Sequence, residues 1–124
     1  ARPRALSVDE IHTIVDQFRD AAWRAIEAAC PGVELTSSLP RNMEVNAPGV
    51  TKGSGLLALA AHLGLTRAQT MAVGDSGNDH AMIEAAGLGV AMGNATDDIR
   101  KIADVTTDDN NHDGVAAAIE KYVL

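Results

Sequence analysis

Two aspartates, an asparagine and a lysine are the residues of this chain best equipped for chemistry. Asp75 and Asp79 stand four positions apart in Gly74-Asp75-Ser76-Gly77-Asn78-Asp79, with Asn78 beside the second. Hard divalent cations take oxygen ligands, and Mg²⁺ is commonly held by one or two carboxylates, with waters and substrate phosphate oxygens completing its shell. Lys52 follows Thr51, a residue suited to cap a helix, and an ammonium on a flexible stem at such a start can neutralise a phosphate. Together these residues predict a site for Mg²⁺ and a phosphate. An isolated Asp pair also fits a plainer arrangement, a capped strand-to-helix turn with its acids in water, in which Gly77 and Gly93 are ordinary turn residues.

The elements around the turn favour a ligand site. Thr70-Met71-Ala72-Val73 is an apolar run entering it, and Ala81, Met82, Ile83, Ala85 and Ala86 form a helical pattern leaving it. The carboxylates then lie where a strand ends and a helix begins, which is where open α/β sheets bind ligands. The helix amino terminus is expected to add donors for an anion. Leu88-Gly89-Val90-Ala91-Met92 follows as the next parallel strand, with a short helix over about 96–102, a brief strand over 104–107 and a closing helix over 115–123. Upstream, Thr51 caps a helix whose expected buried face is Leu56, Leu59, Ala60 and Leu63, with Gly64 as its stop. Such alternation implies an α/β fold with a parallel sheet.

The first third of the chain differs in kind. After a lead-in over residues 1–6, Ser7 and Glu10 form a capping box and Leu6 and Ile11 a hydrophobic staple. Val8, Ile11, Val15, Phe18, Ala22, Ile26 and Ala29 repeat at helical spacing up to Pro31-Gly32. Val33, Leu35 and Ser37, then Met43, Val45 and Ala47, alternate with polar residues on either side of Leu39-Pro40-Arg41-Asn42. Two antiparallel strands covered by the helix are predicted. A boundary at Pro48-Gly49 separates this unit, 1–47, from the sheet unit, 48–124.

Composition narrows the partners. The net charge of −7 disfavours a nucleic-acid or anionic-lipid surface, which would need clustered Lys and Arg, and points to small cations. Phe18, Trp23 and Tyr122 are the only aromatics, so packing is expected to be aliphatic, with Trp23 a packing or partner contact. The single cysteine, Cys30, ends an apolar stripe; a packing role in a reducing compartment is expected. No run approaches the roughly 20 apolar residues that cross a bilayer, so a cytoplasmic protein is expected. His12, His62 and His112 read as surface residues, whereas His80 abuts the acidic turn and is a candidate to touch substrate.

Thr51-Lys52-Gly53-Ser54 before a helix, Gly74-Asp75-Ser76-Gly77-Asn78-Asp79, and the following HAMIEAAGLGVAMGNA over 80–95 together resemble the carboxy-terminal half of a Cof-type (cap type IIB) phosphatase of the haloacid dehalogenase superfamily. The resemblance covers nearly the whole chain. It implies a Rossmann-like half-core over 48–124, with 1–47 similar to the last portion of an α/β cap, and hydrolysis of a small phosphomonoester such as a sugar phosphate. It further implies Mg²⁺ as cofactor, Asp75 as a metal ligand, and Asp79 as support for the metal shell or as a partner orienting the lysine. Asn78 would then hydrogen-bond the phosphate, Lys52 would hold the phosphoryl oxygens, and Asn94, in a loop near the site, would join them in binding the phosphate.

One departure is large. The family's nucleophile and acid/base lie in an amino-terminal DxDxT motif, and no two aspartates here are two residues apart. A phosphoaspartate mechanism needs that nucleophile. With Ala1 in place of an initiator methionine, a fragment that is inactive by itself is expected, together with self-association or pairing with the missing half through an exposed strand edge. Three other readings compete. Ser76 with Asp109 and His112 resembles the blocks of GDSL-type esterases; Asp109, Asn111, Asp113, Gly114 and Glu120 match an EF-hand loop formally; and a fold kept for binding or assembly needs no nucleophile at all.

Overall fold

The computed structural model describes residues 4–38 and 42–124. They fall into two compact units, Ala1–Pro48 and Gly49–Leu124.

In the first unit, helix α1 (Val8–Ala29) is followed by strands β1 (Glu34–Thr36) and β2 (Glu44–Asn46). The capping box forms as the sequence predicts: Ser7 Oγ accepts from the Glu10 amide at 3.2 Å and the Ser7 amide donates to Glu10 Oε2 at 2.8 Å. Arg4 pairs with the same carboxylate, and the two together with the Ser7 amide hold the Glu10 carboxyl down to about 2. β1 and β2 pair antiparallel, Leu35 opposite Val45. The expected connection at 39–41 lies outside the described residues. The expected cover of the hairpin by α1 is corrected: no residue of the helix is buried, and Phe18 on the apolar stripe is 74% exposed. Two three-residue strands present too little apolar surface to bury a stripe six turns long. Cys30, expected to pack, is exposed.

The second unit is a three-stranded parallel sheet in the order β3 (Met71–Gly74), β4 (Leu88–Ala91), β5 (Val105–Thr106). Its helices are α2 (Lys52–His62), α3 (His80–Ala85), α4 (Asp97–Ile102) and α5 (Gly114–Tyr122). β3 and β4 run in register from Met71 opposite Leu88 to Gly74 opposite Ala91. Asp104 starts β5 by accepting the Gly89 amide on Oδ2 at 2.7 Å. The core gathers Ala72, Ala91, Met92 and Ala95 beneath Ile83 and Ile99, an aliphatic packing of small side chains that brings helices close to the sheet. Arg67 closes the carboxyl end of α3, donating to the carbonyls of Glu84, Ala85 and Ala86. No helix among the described residues is long and apolar enough to cross a membrane.

The buried face of α2 differs from the expected one. Gly53 and Ala60 are buried and Leu56 half-buried, whereas Leu59 and Leu63 are 57% and 61% exposed. The cause is the close approach of α2 to α3: a Cβ on Gly53 would run into the backbone carbonyl of Ala81. The helix packs through its smallest residue, which turns the leucines of its other side outward. Leu56, Leu59, Leu63, Leu65 and Thr70 line a shallow hollow there, and Thr70 directly precedes β3, an edge of the described sheet.

This packing makes two glycines of one helix behave oppositely. Gly53→Ala should destabilise the chain by about 2 kcal/mol through overpacking against Ala81. Gly55, with nothing within 4 Å of its Cβ position, should give a gain of about 0.5–1 kcal/mol as Gly55→Ala. Urea denaturation of the two variants measures the difference, and equal effects would refute the close approach.

Candidate functional site

The site forms at the carboxyl end of β3 and is held by α2 from the side. Thr51 caps α2, its Oγ1 accepting from the Ser54 amide at 3.0 Å while its own amide donates to Ser54 Oγ at 2.9 Å. Lys52 is therefore the first residue of the helix. A cation is ordinarily unfavourable at that end of the helix dipole, by about 0.3–1 kcal/mol, so Lys52 needs an anion nearby. Asp79 supplies it: Lys52 Nζ lies 2.6 Å from Asp79 Oδ1.

Asp79 is 7% exposed, and both its oxygens are engaged. Oδ1 takes the lysine, and Oδ2 accepts the amides of Asp75 at 3.0 Å and Ser76 at 3.3 Å. Burial pushes its carboxyl up, but the hydrogen bond from Lys52 and the two amides outweigh that and hold it below the ordinary 3.8. Gly74 makes the arrangement possible, because a Cβ there would stand 2.5 Å from the Cβ of Asp79. The turn 77–79 is a 3₁₀ turn, and α3 after it has six residues. The two amides that precede this turn, those of Asp75 and Ser76, are donated to Asp79.

The other predicted residues converge on the same turn. Asn78 is 9% exposed and accepts from Ser76 Oγ at 2.8 Å, while its Nδ2 has no protein acceptor among the described residues and reaches solvent. Asp75 is half-buried, and its Oδ2 accepts from Asn94 Nδ2 at 3.0 Å. Its other oxygen has no such partner among the described residues. Lys52, Asp75, Asn78, Asp79 and Asn94 therefore belong to one hydrogen-bonded turn and its flanks. Spacing alone did not reveal that Asn94 bonds Asp75, nor that the Asn110 amide donates to Asn94 Oδ1 at 3.1 Å; the Asn94 position in the family-like Met92-Gly93-Asn94-Ala95 was the only signal.

The donors suit Mg²⁺ in part. Among the described residues no group of three His, Cys, Asp or Glu side chains could hold a metal ion. Asp79 is committed to the lysine, which leaves Asp75 as the carboxylate with an oxygen to give. One carboxylate with waters and phosphate oxygens is a common Mg²⁺ arrangement, so the residues present fit the ion as a shared ligand. Ser76 and His112 do not form an esterase pair: Ser76 Oγ bonds Asn78, and His112 Nδ1 lies 2.6 Å from Asp109 Oδ1. The EF-hand match also lacks its entering helix, since β5 precedes the loop. His80 sits 3.4 Å from Glu84 in an exposed pair.

Asp79 should matter to stability as well as chemistry. Asp79→Ala should cost about 2–3 kcal/mol at pH 7, the range expected when hydrogen bonds to a charged group are lost. Because its folded carboxyl lies below the ordinary value, the contribution is complete above pH 3.8 and is lost as pH falls below it. Urea midpoints of wild type and variant should converge on acidification; a constant gap would refute the role.

Comparison with known proteins accords with this geometry. Residues 6–119 match the sequence model of the haloacid dehalogenase-like hydrolases. The 5-amino-6-(5-phospho-D-ribitylamino)uracil phosphatase YcsE of Bacillus subtilis is 53% identical over 74% of this chain and 37% of its own length. Phosphatase YwpJ of the same organism is 46% identical over 78% of this chain and 34% of its own. The chain thus spans little more than a third of the curated relatives it matches. Among solved structures, a haloacid dehalogenase-like hydrolase from B. subtilis superposes with a TM-score of 0.77 at 42% identity, over 87% of this chain and 37% of that one. A subclass IIB sugar phosphatase of the superfamily superposes equally well, with a TM-score of 0.77 at 32% identity, over 84% of this chain and 40% of that one. Since the match runs through the helix-hairpin unit and the sheet unit alike, the chain as a whole, and not its acidic turn alone, belongs to the haloacid dehalogenase-like hydrolase family.

Proposed function

We propose that this chain is the carboxy-terminal part of a Mg²⁺-dependent phosphatase of small phosphomonoesters, a sugar phosphate or similar metabolite, whose aspartyl nucleophile lies outside these 124 residues. The observation that carries the reading is the Lys52–Asp79 pair, 2.6 Å apart, beside the partly free carboxylate of Asp75 at the end of β3. Phosphorylated small molecules in the names of the relatives, a ribitylaminouracil phosphate and phosphoglycolate, support the substrate class.

In this reading Asp79 holds Lys52 in one place, and Lys52 presents its ammonium to the phosphoryl oxygens as charge develops on them. Asn78 donates its Nδ2 hydrogens to a phosphate oxygen, with its own carbonyl oriented by Ser76 Oγ. Asp75 gives one carboxylate oxygen to Mg²⁺. Mg²⁺, when bound, polarises the phosphoryl group and offsets its negative charge. A cytoplasmic location belongs to the same reading and is supported by the exposed free thiol of Cys30, which suits a reducing compartment.

Hydrolysis of an aryl phosphate with Mg²⁺ tests the proposal, using this chain beside the full product of its gene. Only the longer product should turn over, and there Lys52→Ala or Asp75→Asn should each lower kcat/KM by about 10²–10³. Turnover by the 124-residue chain itself would overturn the assignment of the nucleophile.

The same reading supplies a partner for β3. A strand donated by the missing part, or by a second copy, would satisfy its open edge and cover the leucine-lined hollow that reaches Thr70. Light scattering should find the 124-residue chain self-associated; a monodisperse monomer would count against this partner.

A further inference from the structure

The turn at 93–96 grips Asp75 twice. Asn94 Nδ2 donates to Asp75 Oδ2 at 3.0 Å, and the Thr96 amide donates to the Asp75 carbonyl at 2.9 Å. From its other side the turn is held by the loop after β5. The Asn110 amide donates to Asn94 Oδ1 at 3.1 Å, and the Gly93 amide to the Asp108 carbonyl at 3.0 Å. Gly93 allows this contact, since a Cβ would lie 2.8 Å from the Asp109 nitrogen. The loop is itself built: Asp109 Oδ1 accepts from the Asn111 amide at 2.8 Å and lies 2.6 Å from His112 Nδ1. Asn94 therefore spends one end of its amide on the carboxylate and the other on the loop, although its side chain lies at the surface.

We propose that Asn94 is a positioning residue and not a phosphate ligand: it pins Oδ2 of Asp75, leaves Oδ1 as the oxygen offered to a cation, and ties that orientation to the loop at 108–112. The cation half of this inference rests on the reading of Asp75 as a Mg²⁺ ligand. Partners that orient a ligating carboxylate are an integral part of a metal site, and their loss commonly weakens metal affinity 10- to 100-fold. In the folded chain Asn94 is the only residue bonded to both the Asp75 side chain and the loop among the described residues.

Amide hydrogen exchange at Asn110, followed by NMR on the 124-residue chain without metal, tests the link. Asn94→Ala should speed exchange about five- to tenfold, the consequence of losing one hydrogen bond. Asp75→Ala should move it the same way, and the double variant should be no faster than Asn94→Ala, because the effect of Asp75 passes through Asn94. The Ala103 and Thr107 amides, bonded to Ile99 and Ala91, report that the fold persists. Asn94→Asp keeps an acceptor for the Asn110 amide but gives Asp75 no donor, so it should speed exchange about as far as Asp75→Ala does. Unchanged exchange in Asn94→Ala, or single effects that multiply in the double variant, would overturn the link. In parallel, Mn²⁺ titration followed by broadening of the Ser76 amide should be weakened about tenfold by Asn94→Ala. Equal Mn²⁺ affinity would leave Asn94 a loop tether only and overturn its positioning role. Broadening indifferent to Asp75→Ala would refute Asp75 as a ligand, and the cation half with it, while the exchange cycle still decides the link.

Discussion

A carboxylate buried at the end of a strand must find donors, and the way Asp79 finds them organises the whole sheet unit. Its carboxylate takes the amides of Asp75 and Ser76 on one oxygen and the Lys52 ammonium on the other. These bonds close the turn, fix the direction in which α3 leaves the sheet and anchor the first residue of α2. Leaving any of these charges unpaired would be costly, since a half-buried ion without its partner loses its hydration with nothing in return. Gly74 and Gly53 are the geometric conditions for that pair. One lets Asp79 lie against the strand end, the other lets α2 approach α3 closely enough for Lys52 to arrive.

Division of labour between the two aspartates follows from the same constraint. Asp79, saturated by the lysine and two amides, is a structural anion that orients a cation. Asp75, one residue beyond the strand, is half-buried and has one oxygen to spare. Two carboxylates four residues apart thus occupy different environments, one closed and one open. A phosphoryl group brought to this end of the sheet would meet an ammonium, an asparagine amide and a carboxylate able to share a divalent ion. That combination suits electrostatic stabilisation of phosphoryl transfer.

Outside the site, apolar surface is distributed unevenly. The stripe of α1 and the leucines of α2 are exposed in a chain that spans little more than a third of its curated relatives, while the core of the sheet unit is built from alanines with Ile83, Met92 and Ile99. Small side chains permit close helix-sheet packing. They also bury little area for each residue, so the unit depends on hydrogen-bonded turns, with Asp104 on the Gly89 amide and Arg67 on three carbonyls as examples.

Local chemistry was legible in the sequence. The Ser7–Glu10 capping box, the Thr51 cap, the βα alternation, the glycine stop after α2 and the acidic turn at a strand end follow from residue type and short-range spacing, because the forces involved act within a few residues. Motifs that are specific only in combination pointed to Lys52, Asp75, Asn78, Asp79 and Asn94, which the fold brings to one hydrogen-bonded turn and its flanks. What tertiary structure alone decided concerns contacts between segments. Hydrophobic periodicity marked Leu59 and Leu63 for burial, but the approach of Gly53 to Ala81 rotated that face outward. The stripe of α1 was read correctly as apolar and wrongly as covered, since periodicity says which side is apolar and not whether a surface of sufficient size lies opposite. The commitment of Asp79 to Lys52, 27 residues away, and of Asn94 to both Asp75 and the Asn110 amide, depends on which turns the parallel sheet brings to one end. A one-dimensional pattern carries no record of that, because sheet order and helix approach are set by packing across the whole unit.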